Sequence, residues 1–254
     1  MIKENEVLLF SGGVDSLTAW FYLKYPRCLY VDLNHRYYQK EIDAVDNLKR
    51  SMEKYCEESW DKFIFYTRRL NMGGLEKPDA EIPMRNAFFA MLGSLPLVNF
   101  NGDVFGKIDK VWLSFEKGTE HNISNDRSPE FCNMMSNLLT YLNGRKIVVD
   151  SPFWNMSKGE IVKWMLGNVL NAEDMLKQTV SCYSSEDGHC GQCPSCFRKF
   201  LAFEWAGIDT KGMFNSDITK WEGIKGYVEK FKVGKYDAQR TEEAKFVLSK
   251  YRLW

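Results

Sequence analysis

Residues 7–16 read Val7-Leu8-Leu9-Phe10-Ser11-Gly12-Gly13-Val14-Asp15-Ser16, and this stretch decides the predicted fold. An apolar run, a glycine turn and a helix-like segment, Leu17–Leu23, follow one another without a break. The pattern predicts a buried strand, a tight turn and a helix whose unpaired N–H groups face an anion. Two glycines permit a close backbone approach that a Cβ would block. The alternative is a turn whose glycines serve packing alone.

Asp15 is unexpected at a site for an anion. A carboxylate beside phosphates is explained if it binds Mg²⁺, which prefers hard oxygen ligands. Ser11 and Ser16 add hydroxyl donors. The stretch lacks the Gly-Lys-Ser/Thr ending of the common P-loop and the glycine spacing of dinucleotide-binding folds.

A second strong pattern lies near the C-terminus, in a Cys-x7-Cys-x2-Cys-x2-Cys cluster formed by Cys182, Cys190, Cys193 and Cys196. Four thiolates this close suit a closed tetrahedral Zn²⁺ site, which has no open position for a substrate and is therefore structural. An iron–sulfur cluster and disulfides are the alternatives. The three remaining cysteines are scattered and are interpreted as ordinary thiols: Cys28, Cys56 and Cys132.

The composition is that of a cytoplasmic enzyme. In 254 residues, 44% are hydrophobic and 27% are charged, which allows a sizeable core. Acidic residues directly before the first strand argue against a signal peptide, and no apolar run is long enough to span a membrane. The 34 basic and 34 acidic residues give no overall basic excess, so nucleic acid is not an expected partner.

Strand and helix patterns alternate along the chain. The predicted strands are Val7–Phe10, Cys28–Val31, Phe63–Tyr66, Val111–Phe115 and Ile147–Val149. The predicted helices are Leu17–Leu23, Lys40–Cys56, Asn86–Leu95, Pro129–Leu142, Ser157–Leu166, Phe197–Ala206, Asp217–Phe231 and Ala238–Tyr251. Residues 71–83 are predicted to be a long loop. This alternation predicts a doubly wound parallel five-stranded sheet, with ligands at the carboxyl ends of its strands.

Three further residues suit a phosphate or nucleotide site. Arg85 stands at the start of a predicted helix, and its guanidinium suits multidentate phosphate contact. Lys158 follows the fifth strand and can reach across the strand ends to a phosphate. Asp32 ends the second strand and either binds ribose hydroxyls or caps the next turn.

Together these motifs resemble the 7-cyano-7-deazaguanine synthase family of the pyrophosphate-loop ATP pyrophosphatases. The resemblance covers residues 5–206 and rests on five stretches: Phe10–Ser16, Ile82–Asn86, Ser151–Ile161, Thr179–Tyr183 and Cys190–Cys196. The last two are the most specific, because a Ser-Cys-Tyr stretch before this four-cysteine cluster is rare.

The resemblance implies an adenine nucleotide alpha hydrolase-like α/β fold. It divides the chain into an ATP-binding domain at 1–170 and a helical region with the zinc site at 171–254. It implies that the ATP-binding residues are Phe10, Ser11, Gly12, Gly13, Val14, Asp15, Ser16 and Asp32. It also implies that Asp15, with Mg²⁺, and the cations of Arg85 and Lys158 serve catalysis.

The implied reaction is an ATP-dependent ligation in queuosine or deazapurine biosynthesis. A carboxylate on 7-carboxy-7-deazaguanine attacks the α-phosphate of ATP, ammonia converts the acyl-adenylate to an amide, and a second ATP drives dehydration to 7-cyano-7-deazaguanine (preQ0). The partners implied are ATP, ammonia and this small molecule, and the resemblance suggests a homodimer.

The chain also departs from the family pattern. Asp32-Leu33-Asn34-His35 stands where Asp-Tyr-Gly-Gln is usual, and Ser114 replaces a glycine near the end of the fourth strand. Residues 120–127 replace the usual Ser-Gly-Tyr-Pro-Asp-Cys stretch, with Asp126 alone matching. These changes leave ATP handling intact and leave open an amide-only product, another deazapurine or a protein carboxylate as acceptor.

Two other classes of function remain open from the sequence. A tRNA-modifying thiolase or ligase would need a basic face and, for thiolation, a catalytic cysteine pair. A repurposed subunit of a larger assembly would use the aromatic residues of the unmatched last segment as a partner surface, although such residues also pack helices: Trp221, Tyr227, Phe231, Phe246 and Trp254.

Overall fold

The computed structural model describes residues 5–55, 65–78, 80–98, 104–116 and 126–254. The strands are β1 (Glu6–Leu9), β2 (Arg27–Asp32), β3 (Phe65–Arg69), β4 (Leu97–Val98), β5 (Val104–Phe105), β6 (Lys110–Trp112) and β7 (Val148–Asp150). The helices are α1 (Val14–Tyr22), α2 (Tyr38–Glu53), α3 (Arg85–Ser94), α4 (Pro129–Asn143), α5 (Lys158–Asn168), α6 (Ala172–Gln178), α7 (Pro194–Ala206), α8 (Gly223–Lys232) and α9 (Ala238–Lys250).

Five strands form one sheet in the order β3-β2-β1-β6-β7. Every neighbouring pair in this sheet is parallel. The chain moves outward in one direction from β1 to β3 and then returns to the other side of β1 through β6 and β7. The order therefore reverses between β1 and β6, and a crevice at the carboxyl ends of these two strands is the expected ligand site. The predicted doubly wound fold is confirmed.

Helices cover both faces of this sheet because the side chains of each strand alternate between them. Leu8 and Phe10 face the core shared with α1, α2 and α5. Val7 and Leu9 face the core shared with α3 and α4. The first of these cores continues into α6 and α7, so the helical region packs directly on the α/β layers. The division of the chain at residue 170 stays a prediction.

Several elements differ from the sequence-based expectation. The third strand extends to Arg69, three residues beyond its predicted end. Residues 63 and 64 of that prediction, and Cys56, lie outside the described residues. The short helix α6 and the β4–β5 pair were not predicted, because two to seven residues are too few to show a period. The loop at 71–83 contains a 3₁₀ turn at Gly73–Leu75. Among the described helices, none combines the length and apolarity needed to cross a membrane.

Candidate active site

The glycine loop (residues 11–13) joins β1 to α1 at the crevice. Gly12 has a φ of +72°, in the left-handed region that favours glycine. A Cβ on Gly12 would lie 3.2 Å from the Cβ of Ala44, so the loop packs closely on α2. Gly13 precedes α1 and makes no side-chain cap. The first N–H groups of α1 are therefore left for another acceptor, as an anion site requires.

The two serines of the loop have different roles. Ser16 is buried, and its hydroxyl donates a hydrogen bond to the carbonyl of Gly13 at 3.1 Å. The N–H of Ser11 donates to the same hydroxyl at 3.3 Å. Ser16 therefore fixes the shape of the loop, whereas the exposed Ser11 lies on the wall of the crevice.

Asp15 and Lys158 form an ion pair between two helix starts. The Lys158 ammonium donates to both carboxylate oxygens of Asp15, at 2.7 and 2.6 Å. Burial alone would lower the pKa of Lys158, but the carboxylates of Asp15 and Glu116 outweigh it and raise that pKa. Burial raises the pKa of Asp15, and Lys158 opposes that rise. The lysine therefore carries a full positive charge beside the glycine loop.

Lys158 is positioned by the capping box that begins α5. Ser157 Oγ accepts from the N–H of Glu160 at 3.1 Å, and Glu160 accepts from the N–H of Ser157 at 2.8 Å. This reciprocal pair fixes the first turn of α5. Ser157 Oγ also donates to the buried carboxylate of Glu243 on α9, at 2.5 Å.

Glu116 is a site residue that sequence reasoning missed. It follows the end of β6, faces the crevice and lies close to Lys158. Burial would raise the pKa of Glu116, but the positive charges of Lys158 and Arg240, aided by Arg198, lower it. Glu116 is therefore ionised. Its signal in the sequence is an acidic residue just beyond a predicted strand, on the side of the sheet where ligands bind.

Arg85 begins α3 and faces the same crevice. Its guanidinium carbon lies 5.9 Å from the centre of the Phe89 ring. Its Nε is buried and, among the described residues, has no hydrogen-bond partner. A buried guanidinium N–H without a partner indicates a group that an anion would satisfy.

Asp32 does not belong to the charged residues that line the crevice. One carboxylate oxygen accepts from the N–H of Asn34 at 2.8 Å, and the other accepts from Arg69 Nε at 2.8 Å. Asp32 is 1% exposed and does not line the crevice. The turn-capping alternative is thus present in the geometry, and contact of Asp32 with a ribose stays a prediction.

A cavity of about 460 Å³ fills the crevice. Small-molecule sites commonly measure roughly 300–1,000 Å³. The side chains of Arg85, Arg127, Lys158, Arg198 and Arg240 bring five cations to its wall. Phe10, Ser11, Gly13, Val14, Asp15 and Ser16 line it as well, so the structure brings these sequence-predicted residues together with Arg85 and Lys158.

The four cysteines of the C-terminal cluster also come together. Their sulfur atoms all lie within 4.8 Å of one another, and Cys190 Sγ lies 3.9 Å from Cys196 Sγ. In a tetrahedral site with Zn–S bonds of about 2.3 Å, sulfur atoms lie roughly 3.8 Å apart. Backbone N–H groups of Ser184 and Cys190 donate to Cys182 Sγ, each at 3.3 Å, which stabilises a thiolate. The donor set fits one structural zinc ion.

Comparison with known proteins gives the same assignment as these motifs. The model of the family described as queuosine biosynthesis protein QueC matches residues 5–207. The chain belongs to the QueC family. The prediction of an enzyme of this family is confirmed, and a four-cysteine metal site is compatible with it.

Three relatives are each named 7-cyano-7-deazaguanine synthase. The protein from Sulfolobus acidocaldarius is 27% identical over 227 residues, which cover 81% of this chain and 47% of the relative. The Marinomonas protein is 26% identical over 214 residues, covering 81% of this chain and 96% of the relative. The Methanococcus vannielii protein is 27% identical over 225 residues, covering 80% and 95%. The chain thus spans about half of the first relative and nearly all of the other two.

One departure from the QueC pattern, Asn34, is explained by the backbone. Asn34 has a φ of +54°, and asparagine tolerates this region better than other residues with a Cβ. Asn34 therefore suits a position where glycine is usual. Gly73 packs on this turn, since a Cβ on it would lie 1.9 Å from the Asn34 carbonyl oxygen. The substituted stretch 120–125 lies outside the described residues.

A buried lysine connects the cysteine cluster to the glycine loop. Lys199 donates to the Thr179 carbonyl at 2.5 Å and lies 3.0 Å from Nε2 of His189, the neighbour of Cys190. Val180, the residue after Thr179, donates its N–H to the Gly12 carbonyl at 3.0 Å. Burial lowers the pKa of Lys199 to about 7. The four-cysteine region is thus connected to the glycine loop through Lys199 and the backbone at residues 179–180.

Proposed function

We propose that the protein is an ATP-dependent carbon–nitrogen ligase that converts 7-carboxy-7-deazaguanine and ammonia to 7-cyano-7-deazaguanine. The observation that carries the proposal is the Asp15–Lys158 pair beside an uncapped helix start, within a chain of the QueC family. The names of the relatives supply the product, and the family resemblance of the sequence motifs implies the acceptor. ATP, ammonia, a homodimeric state and a cytoplasmic location belong to this proposal.

In the first step the acceptor carboxylate attacks the α-phosphorus of ATP, and the bond to pyrophosphate breaks. The helix start and the exposed Ser11 would bind the leaving pyrophosphate. Arg85 and Lys158 would offset the negative charge that develops on the phosphates. Asp15 would hold Mg²⁺, which supplies further charge neutralisation. Positioning and electrostatics account for such a step without a protein nucleophile.

In the second step ammonia attacks the acyl carbon and loses a proton, and AMP leaves with its bonding electrons to give the amide. In the third, the amide oxygen attacks the α-phosphorus of a second ATP and pyrophosphate leaves again. AMP then leaves from the carbon, the nitrogen loses two protons, and the nitrile forms. The same cations would serve both adenylation steps, because each transfers the same group to an oxygen.

Zinc is proposed to be structural. The four thiol groups close a tetrahedral site and leave no position for a substrate. Its contribution would be to stabilise the segment from Cys182 to Cys196, which lies against the cavity.

Mass spectrometry of the products tests the proposal. Purified protein is mixed with ATP, Mg²⁺, ammonium and 7-carboxy-7-deazaguanine, with a Lys158→Met variant as matched control. Nitrile with AMP from the unchanged protein, and neither from the variant, is the expected result. An amide alone would restrict the function to the first two steps. If folded, zinc-loaded protein makes neither nitrile nor amide, 7-carboxy-7-deazaguanine is rejected as the acceptor.

A further inference from the structure

Residues 208–254 lie beyond the family match, yet they form one wall of the cavity. The helix α9 packs its buried Ala244, Val247 and Leu248 against the aromatic side of α7, in the same apolar cluster as Phe197 and Phe200. This packing directs the first half of α9 toward the crevice. Arg240 and Glu243 line the cavity from there.

The helix α9 contacts two neighbours of Lys158, namely Ser157 and Glu116. Glu243 accepts the hydrogen bond from Ser157, whose neighbour is Lys158. Arg240 Nη2 lies 3.7 Å from Glu116 Oε2, which is longer than a direct hydrogen bond. Glu116 in turn is close enough to Lys158 to raise the pKa of that lysine. Arg240 is therefore separated from the predicted phosphate site by a single side chain.

Aromatic side chains line the same cavity as Arg240. Tyr227 on α8 and Tyr236 between the helices lie with ring centres 6.5 Å apart and planes 27° apart. Both rings are partly exposed to the cavity. Tyr183 also lines the cavity, and its hydroxyl accepts from Arg198 at 3.0 Å. Planar rings beside guanidinium groups suit a ligand that is both flat and anionic.

We propose that α8 and α9 form an acceptor subsite, in which Arg240 binds the carboxylate of a planar heteroaromatic acid and Tyr227 and Tyr236 contact its ring. The subsite rests on the proposed function and adds residues outside the family match. It places the acceptor carboxylate at Arg240, in the same cavity that the glycine loop and Lys158 line. In this position the carboxylate oxygen can approach an α-phosphate bound at the glycine loop.

Steady-state kinetics of an Arg240→Gln variant tests the subsite. We expect the KM for 7-carboxy-7-deazaguanine to rise at least tenfold, while the KM for ATP changes less than twofold. Arg240→Lys keeps the charge but loses the bidentate geometry, so we expect an intermediate rise. Lys245→Gln removes an equal charge from the exposed face of the same helix and should change neither constant. A purely structural role of Arg240 would change both KM values together and would overturn the proposal.

Calorimetric binding separates this inference from the proposed function. The unchanged protein, saturated with a non-hydrolysable ATP analogue, is titrated with 7-carboxy-7-deazaguanine and with indole-3-carboxylate. Binding of either acid that weakens tenfold in Arg240→Gln supports the subsite even if no nitrile is made, in which case the proposed function alone fails. No binding of either acid to the folded protein, or equal binding to the variant, overturns the subsite.

Discussion

Ser157 Oγ donates a 2.5 Å hydrogen bond to Oε1 of Glu243, and this contact joins two helices that lie 86 residues apart in the chain. Ser157 caps α5, which begins at Lys158, and Glu243 belongs to the segment beyond the family match. The position of Lys158, which we predict to be catalytic, therefore depends on a carboxylate that lies outside the family match. Glu243 is 8% exposed, so the bond forms away from bulk water.

The pH dependence of stability should reveal Glu243. Burial raises the pKa of Glu243, although Ser157 and Gln239 oppose the rise. A carboxyl whose pKa is higher in the folded state stabilises the fold below its unfolded pKa, and this contribution is lost as pH rises through the folded pKa. Glu243→Gln keeps an acceptor for Ser157 without the charge. We expect its melting temperature at pH 7.5 to equal or exceed that of the unchanged protein, with the difference shrinking toward pH 5.

Thermal unfolding across this pH range measures the effect. Glu242→Gln is the matched control, because Glu242 is a neighbouring exposed carboxylate on the same helix. It should show no such pH dependence. A Glu243→Gln protein that is clearly less stable than the unchanged protein at pH 7.5 would contradict the interpretation.

Removal of the Lys158 charge should affect both activity and stability. Lys158→Met takes a positive charge from the phosphate site and should slow AMP formation by roughly 10²–10³-fold. It also leaves the Asp15 carboxylate without its partner at 2.6 Å, at a cost of about 1–3 kcal/mol. In the double variant Asp15→Asn with Lys158→Met, stability should partly recover while activity stays low.

Denaturant unfolding and AMP release measure the two effects. Lys177→Met, which removes an exposed lysine that pairs with Glu173 on α6, is the control and should change neither. Full activity in Lys158→Met would exclude Lys158 from the reaction.

Metal content should depend on the four-cysteine cluster alone. Cys193→Ser removes one ligand, so we expect zinc to fall from one ion per chain toward none and the melting temperature to drop. Cys132 is a buried free thiol remote from the cluster, and Cys132→Ser should keep one zinc per chain. Elemental analysis of both proteins distinguishes the cluster from the isolated thiol. Iron in place of zinc would favour the iron–sulfur alternative.

The sequence predicted the parallel sheet, the glycine loop and the cysteine cluster because each is a local pattern. Residues 7–16 contain a strand, a turn and a helix start in continuous order, and the four cysteines lie within fifteen residues. The site as a whole depends on contacts between distant segments. Glu116 and Arg240 belong to no motif, and they meet only because α9 packs on α7 and so reaches the end of β6. Local periodicity contains no information about such a contact.

The glycine loop offers a test in which strain can be separated from function. Gly12→Ala and Gly144→Ala both place a Cβ at positive φ, at +72° and +61°, which costs about 1–2 kcal/mol each. A Cβ on Gly144 would meet nothing within 4 Å, whereas one on Gly12 would press on Ala44 at 3.2 Å. Gly144→Ala therefore has the backbone strain without the displacement of a neighbouring side chain. We expect both variants to lose stability, Gly12→Ala the more, and a KM for ATP that rises at least tenfold in Gly12→Ala alone. An unchanged KM for ATP in Gly12→Ala would mean that the loop holds no phosphate, and the helix start would then serve packing only.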